Sequence, residues 1–185
     1  MIKNNKFNVK KISKYLLDDK VIVFPTETVY GIIGIVNDEN KEKINKIKGR
    51  DLKQQLQVTF PNLREAYEWI NVTPYQKSIL EQELPGNKSF IVKTSELGKE
   101  KIKEATILIR VPSIVYAKNY VNLLKIVGPI YSTSANIHNE KELKKHKEIL
   151  EKLNVDYVIK GKYKKEQKSS QIFSLVNDSV KLIRG

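Results

Sequence analysis

The 185-residue chain has no cysteine. Disulfides, thiolate-held zinc and a cysteine nucleophile are therefore excluded. Two histidines, His138 and His146, are too few for a His-rich metal site, and His146 inside the lysine-rich KELKKHKEILEKL reads as a helix-surface residue. No apolar run approaches the roughly 18 residues that a bilayer span needs, and the opening MIKNNKFNVKK has no apolar stretch of signal-peptide type. A cytoplasmic protein without membrane contact is expected. Also missing are a GxxxxGK[ST] phosphate loop, a GxGxxG turn opening a helix after a strand, and the GxSxG and HExxH motifs. YGIIG is only a GxxG, so any nucleotide site must be assembled from scattered side chains.

What is present is the balance of a globular protein, with 40% hydrophobic and 30% charged residues. The length suits one well-filled core, and residues 1–185 are expected to form a single domain. The formal charge of +13 points to polyanions without choosing between nucleic acid and nucleotide. Lysine, asparagine and isoleucine are all abundant, as AT-rich codons would produce, and the basic residues are scattered. Local clusters therefore carry more weight than the total.

Short apolar runs alternate with amphipathic helical patterns, which predicts an α/β or α+β sheet domain. Asn8 caps a helix with Val9, Ile12 and Leu16 on one face, followed by the strand VIVF. A strand over 32–36 leads through NDEN into a helix carrying Ile44 and Ile47, then the polar KGRDLKQQ and the strand LQVTF. Leu63, Ala66, Tyr67 and Ile70 form a helical stripe, and Thr73-Pro74 opens a helix that stops at Leu84-Pro85-Gly86. KSFIVK and ATILIRV read as strands, PSIVYAKNYVNLLK as a helix and GPIYST as a buried strand. Asn139 followed by Glu142 predicts a helix start, with Leu143, Leu150 and Leu153 on the buried face. Two more strands, DYVIK and QIFSLV, precede the terminal VKLIRG, and GKYKKEQKSS is the one low-complexity piece.

Three polar clusters follow strands or open turns, where a rigid scaffold can hold binding groups facing solvent. Thr26-Glu27-Thr28 with Tyr30 sets hydroxyls and a carboxylate between two apolar runs; an ordinary proline turn has the same composition. Lys48-Gly49-Arg50 is a basic helix end, which the helix dipole alone would favour, although Gly49 lets the backbone turn and aim both cations into one space. Ser132-Thr133-Ser134-Ala135-Asn136 follows GPIY, and Ser134 and Asn136, two apart, can present a hydroxyl and an amide to one ligand.

Together, FPTETVYG, IKGR, IRVP and STSAN in this order and spacing resemble the YrdC-like family, whose bacterial single-domain members are threonylcarbamoyl-AMP synthases. The tail SSQIFSLVNDSVKLIRG is similar to the family's closing segment, so the resemblance runs from about Val21 to Gly185. It implies a single-domain twisted, mostly mixed or antiparallel sheet with flanking helices, curved around a large basic concavity. It also implies a reaction in which L-threonine, bicarbonate and ATP give L-threonylcarbamoyl-AMP and pyrophosphate, the first step toward N6-threonylcarbamoyladenosine in tRNA. By resemblance Lys48, Arg50, Ser134 and Asn136 are catalytic; these with Gln54, Ser89 and Arg184 hold the nucleotide; Thr28, Tyr30, Thr59, Arg110 and Ser134 hold threonine. Mg2+ is expected through the phosphates of ATP, with no dedicated protein cage. A downstream tRNA threonylcarbamoyl transferase and tRNA are the implied partners.

The chain departs from the family pattern at several points. Asp51 follows Arg50 where relatives have proline, Asn87-Lys88 interrupts the usual PGPxT, Ile137-His138-Asn139 replaces Ser-Gly, and Gln171 and Ser174 replace threonine and aspartate. Two competing readings remain. One is a non-enzymatic RNA-binding or ribosome-assembly module using the basic cavity, although RNP-type surface aromatics are missing. The other is a carbamoyl-transfer enzyme of the hydrogenase-maturation type, a class that carries accessory domains.

Overall fold

The computed structural model describes residues 8–161 and 169–185. Most of GKYKKEQKSS therefore lies outside the described residues. Ten strands form one mixed sheet: β1 (Ile22–Pro25), β2 (Tyr30–Ile35), β3 (Gln57–Thr59), β4 (Ile70–Asn71), β5 (Lys88–Thr94), β6 (Thr106–Arg110), β7 (Ile130–Ser134), β8 (Tyr157–Val158), β9 (Gln171–Ser174) and β10 (Lys181–Arg184). Their order is β10-β9-β5-β6-β3-β7-β2-β1-β8, with β4 paired to β5. The pairs β1/β8, β3/β6 and β5/β9 are parallel and the rest antiparallel, as a sheet built from both hairpins and crossovers requires.

The strands β1 and β2 are buried almost throughout because both of their faces are covered. Ile22 and Phe24 of β1 pack with Ile12 and Leu16 of α1 (Val9–Leu17) and with Leu123 and Leu124 of α6 (Ile114–Val127). Val21 and Val23, pointing the other way, join Ile44 of α2 (Asp38–Ile47), Ala66 of α3 (Leu63–Trp69), Leu80 of α4 (Pro74–Glu83) and Ile149 of α7 (His146–Lys152). Asn8 accepts from Lys11 N as the predicted cap, and Thr73 and Gln76 form a reciprocal capping box. The short helix α5 (Glu96–Ile102), capped by Ser95, and the two-residue β4 are additions to the sequence reading. Neither has enough apolar periodicity to announce itself.

The expected helix start at Asn139 is corrected by the structure. Asn139 has φ 65°, the helix begins only at His146, and Leu150 is 57% exposed while Ile149 is fully buried. Residues 137–145 are spent on tertiary bonds instead: His138 N donates to Lys48 O, Leu143 N to Ala135 O, and the Asn136 amide donates to the carbonyls of Ile137 and Glu140. Backbone groups committed to these partners cannot enter an i to i−4 ladder.

Candidate functional site

Helix α2 ends in a Schellman turn. Arg50 N donates to Asn45 O and Gly49 N to Lys46 O, with Gly49 in the left-handed region at φ 64°. The turn sends the side chains of Lys48 and Arg50 in different directions. Lys48, 3% exposed, lies beneath the β7 exit, where its ammonium donates to Ser134 O (2.8 Å), Asn136 O (2.8 Å) and Asn136 Oδ1 (2.9 Å). Ser134 Oγ donates to the same Asn136 Oδ1 at 2.7 Å. The three form one hydrogen-bonded unit. Burial pushes the Lys48 pKa down to about 7, with Arg50 and Arg184 acting in the same direction and Glu142 opposing.

Arg50 is held differently. Its Nε donates to Asn45 Oδ1 at 2.8 Å, and among the described residues nothing accepts from its two terminal nitrogens. Asp51 does not neutralise it: the carboxylate accepts from Lys53 N in an exposed turn.

At the end of β6, Arg110 is 5% exposed. Its Nη1 donates to Thr28 Oγ1 at 3.1 Å, and Glu27 Oε1 lies 3.5 Å from Nη2. Glu27 Oε2 accepts from Ser113 N at 2.8 Å. Burial raises the Glu27 pKa against the opposing pull of Arg110, and burial lowers the pKa of Arg110 against Glu27. Among the described residues Nε and Nη2, adjacent along one edge of the guanidinium, are buried without an acceptor in hydrogen-bond geometry, although the Glu27 carboxylate is the ion-pair partner of Nη2. Such an edge presents two parallel donors, the arrangement that grips a carboxylate. In the FPTET turn, Thr26 Oγ1 donates to Val29 O at 2.6 Å, a local turn bond, while Thr28 faces Arg110.

Two adjoining cavities result. The smaller, about 230 Å³, is lined by Arg110, Thr28, Arg50, Gln54, Ser134 and Arg184 among others. The larger, about 1510 Å³, runs past Glu27, Pro85-Gly86-Asn87, Tyr116, Asn136 and the 140–148 segment. Thr28, Ser134, Ser169 and Arg184 line both and mark the junction. Lys48 stands behind that wall and lines neither.

The structure does not bring Tyr30, Thr59 or Ser89 to either cavity. Tyr30 OH donates to Gly161 O and accepts from Gly161 N, pinning that segment. Thr59 is fully buried and accepts from Gln57 Nε2, and Ser89 Oγ donates to Gln57 Oε1 beside Ser170 Oγ. These positions were reached by motif matching, which registers neighbourhood and not the direction of a side chain.

Glu27, Asn45, Gln57 and Ser169, by contrast, received no role from the sequence. For Asn45 the signal was an asparagine next to the apolar position Ile44. For Ser169 it was the serine pair leading β9.

Residues 14–185 match the Sua5/YciO/YrdC family, which carries the description telomere recombination, and the chain belongs to that family. A Methanocaldococcus jannaschii protein, provisionally named a threonylcarbamoyl-AMP synthase, is 29% identical over 178 residues, covering 94% of this chain and 83% of its own. The Buchnera aphidicola threonylcarbamoyl-AMP synthase is 26% identical over 182 residues, with 94% and 93% covered. The crystal structure of P. abyssi Sua5 complexed with L-threonine superposes with a TM-score of 0.84 at 19% identity, covering 99% of this chain and 55% of that one. That likeness establishes the mixed α/β fold.

Proposed function

We propose that the protein is an L-threonylcarbamoyladenylate synthase, acting as one domain on L-threonine, bicarbonate and ATP and releasing pyrophosphate. The observation that carries this reading is the Arg110 guanidinium, held by Thr28 and Glu27 on the wall of the small cavity with Nε lacking an acceptor among the described residues, beside a much larger cavity. The small space suits an amino acid whose carboxylate faces the Arg110 guanidinium, with Thr28 beside it. The large space suits a nucleotide. The similarity to named synthases and to a Sua5 structure containing L-threonine supports the same assignment.

The chemistry then falls at the junction. The threonine nitrogen adds to CO2, or to bicarbonate with loss of water, giving a carbamate. A carbamate oxygen attacks the α-phosphorus, the bond to the bridging oxygen breaks, and pyrophosphate carries away the electron pair. Anion meets anion, so the main obstacle is repulsion, and no covalent nucleophile is needed. The Arg50 terminal nitrogens, which have no acceptor among the described residues, and the Arg184 guanidinium line the small cavity and would neutralise phosphate charge there, with the Ser134 hydroxyl, bonded to Asn136 Oδ1, beside them. Lys48 acts from behind, holding Ser134 and Asn136 in place and adding its charge. Among the described residues no group of three acidic or histidine side chains is placed to hold a metal, so Mg2+ would be held chiefly by phosphate oxygens and water.

No described helix is long and apolar enough to cross a membrane. We assign the protein to the cytoplasm, handing its adenylate to a tRNA-modifying transferase. Incubating purified protein with labelled bicarbonate, threonine and ATP should give a labelled adenylate and pyrophosphate in equal amounts. Absence of both, where a known synthase turns over, would refute the reading.

A further inference from the structure

We infer that Asn45 is a positioning residue for Arg50, fixing the direction in which its guanidinium faces the cavity. The inference rests on the functional reading above only in taking Arg50 as a ligand for phosphate.

Asn45 is the third residue from the end of α2, is fully buried, and spends three polar contacts on one turn. Its Nδ2 donates to Leu52 O (2.8 Å) and Gln54 O (2.9 Å), while its Oδ1 accepts from Arg50 Nε (2.8 Å). The amide can be oriented only one way, because the carbonyls can only accept and the Nε–H can only donate. Its backbone carbonyl also accepts from Arg50 N at 3.2 Å. Arg50 is thus held at both ends of its stem by a single residue, and residues 52–54 are drawn back over the helix end. The guanidinium plane is set by the Nε bond, leaving its two terminal nitrogens for the cavity. Arginine's advantage in phosphate binding is its fork, and a fork swinging about its stem must be ordered each time it binds. Asn45 supplies that order in advance.

A double-mutant cycle tests this, using calorimetric titration of ATP into wild type, Asn45→Ala, Arg50→Ala and the double variant. Action through Arg50 predicts a loss of roughly 10-fold from Asn45→Ala in the wild-type background and less than about 2-fold in the Arg50→Ala background. Equal losses in both backgrounds would show a general loosening of the fold and overturn the inference. If Asn45→Ala does not fold, Asn45→Ser is carried through the same cycle. Should wild type bind no ATP, the functional reading fails, and the Arg50 Nε–H resonance decides for positioning. A slowly exchanging signal in wild type that is lost in the Asn45 variant upholds it, and identical signals overturn it. Failure to make the adenylate despite a coupled cycle would refute the activity and leave Asn45 in its role.

Discussion

Lys48 offers a prediction whose size follows from its burial. The ammonium is 3% exposed, and its pKa in the fold is about 7 against an ordinary 10.5. Between those values the unfolded chain binds more protons than the folded one, so stability rises with pH across the window. The penalty for folding with this lysine is about 4 kcal/mol at pH 7 and about 2 kcal/mol at pH 9, at 1.36 kcal/mol per unit of pKa difference. Wild type should therefore gain about 2 kcal/mol over that interval relative to Lys48→Met, in which every other titrating group is shared. For a chain of this length that is about 4 to 8 °C in melting temperature. The assay is thermal or urea unfolding of both proteins at half-unit pH steps, reading the difference between them. Because the comparison is of slopes, the three acceptors left by Lys48→Met shift the baseline without altering the test. Parallel pH profiles would mean that Lys48 keeps its ordinary proton affinity in the fold, and the desolvation argument would be wrong.

Two substitutions probe the rest of the site. Arg110→Lys removes the flat double-donor edge and should raise the KM for threonine by roughly 30-fold, the value of one charge-assisted hydrogen bond of about 2 kcal/mol, while the KM for ATP changes little; an unchanged threonine KM would put the carboxylate elsewhere. Gly49→Ala forces a Cβ into the left-handed region at φ 64° and should destabilise the protein by about 1 kcal/mol, as read by urea unfolding, and weaken ATP binding further by turning Arg50 away from the cavity it lines; full stability would contradict the need for glycine in this turn.

The strands were legible because β1 and β2 are buried on both faces and so read as unbroken apolar runs, and α1 and α4 were legible because Asn8 and Thr73 are local caps. The Asn139 helix was misread because its capping pattern is local, whereas the bonds that displaced it reach back to Lys48 and Ala135. The site divides in the same way. Which residue types gather near the ends of β1, α2, β6 and β7 followed from the motifs, but the path each side chain takes did not.

The sequence by itself determined the alternation of elements, the absence of thiol chemistry, and the family. Only the tertiary structure decided that Lys48 is buried behind Ser134 and Asn136, that Arg50 is tethered to Asn45, and that Tyr30 holds Gly161 instead of lining a cavity. The physical reason is range. Caps and apolar periods act over a few residues, whereas a buried donor takes its acceptor from whatever segment the fold brings within about 3 Å, and that distance is not encoded in any local stretch.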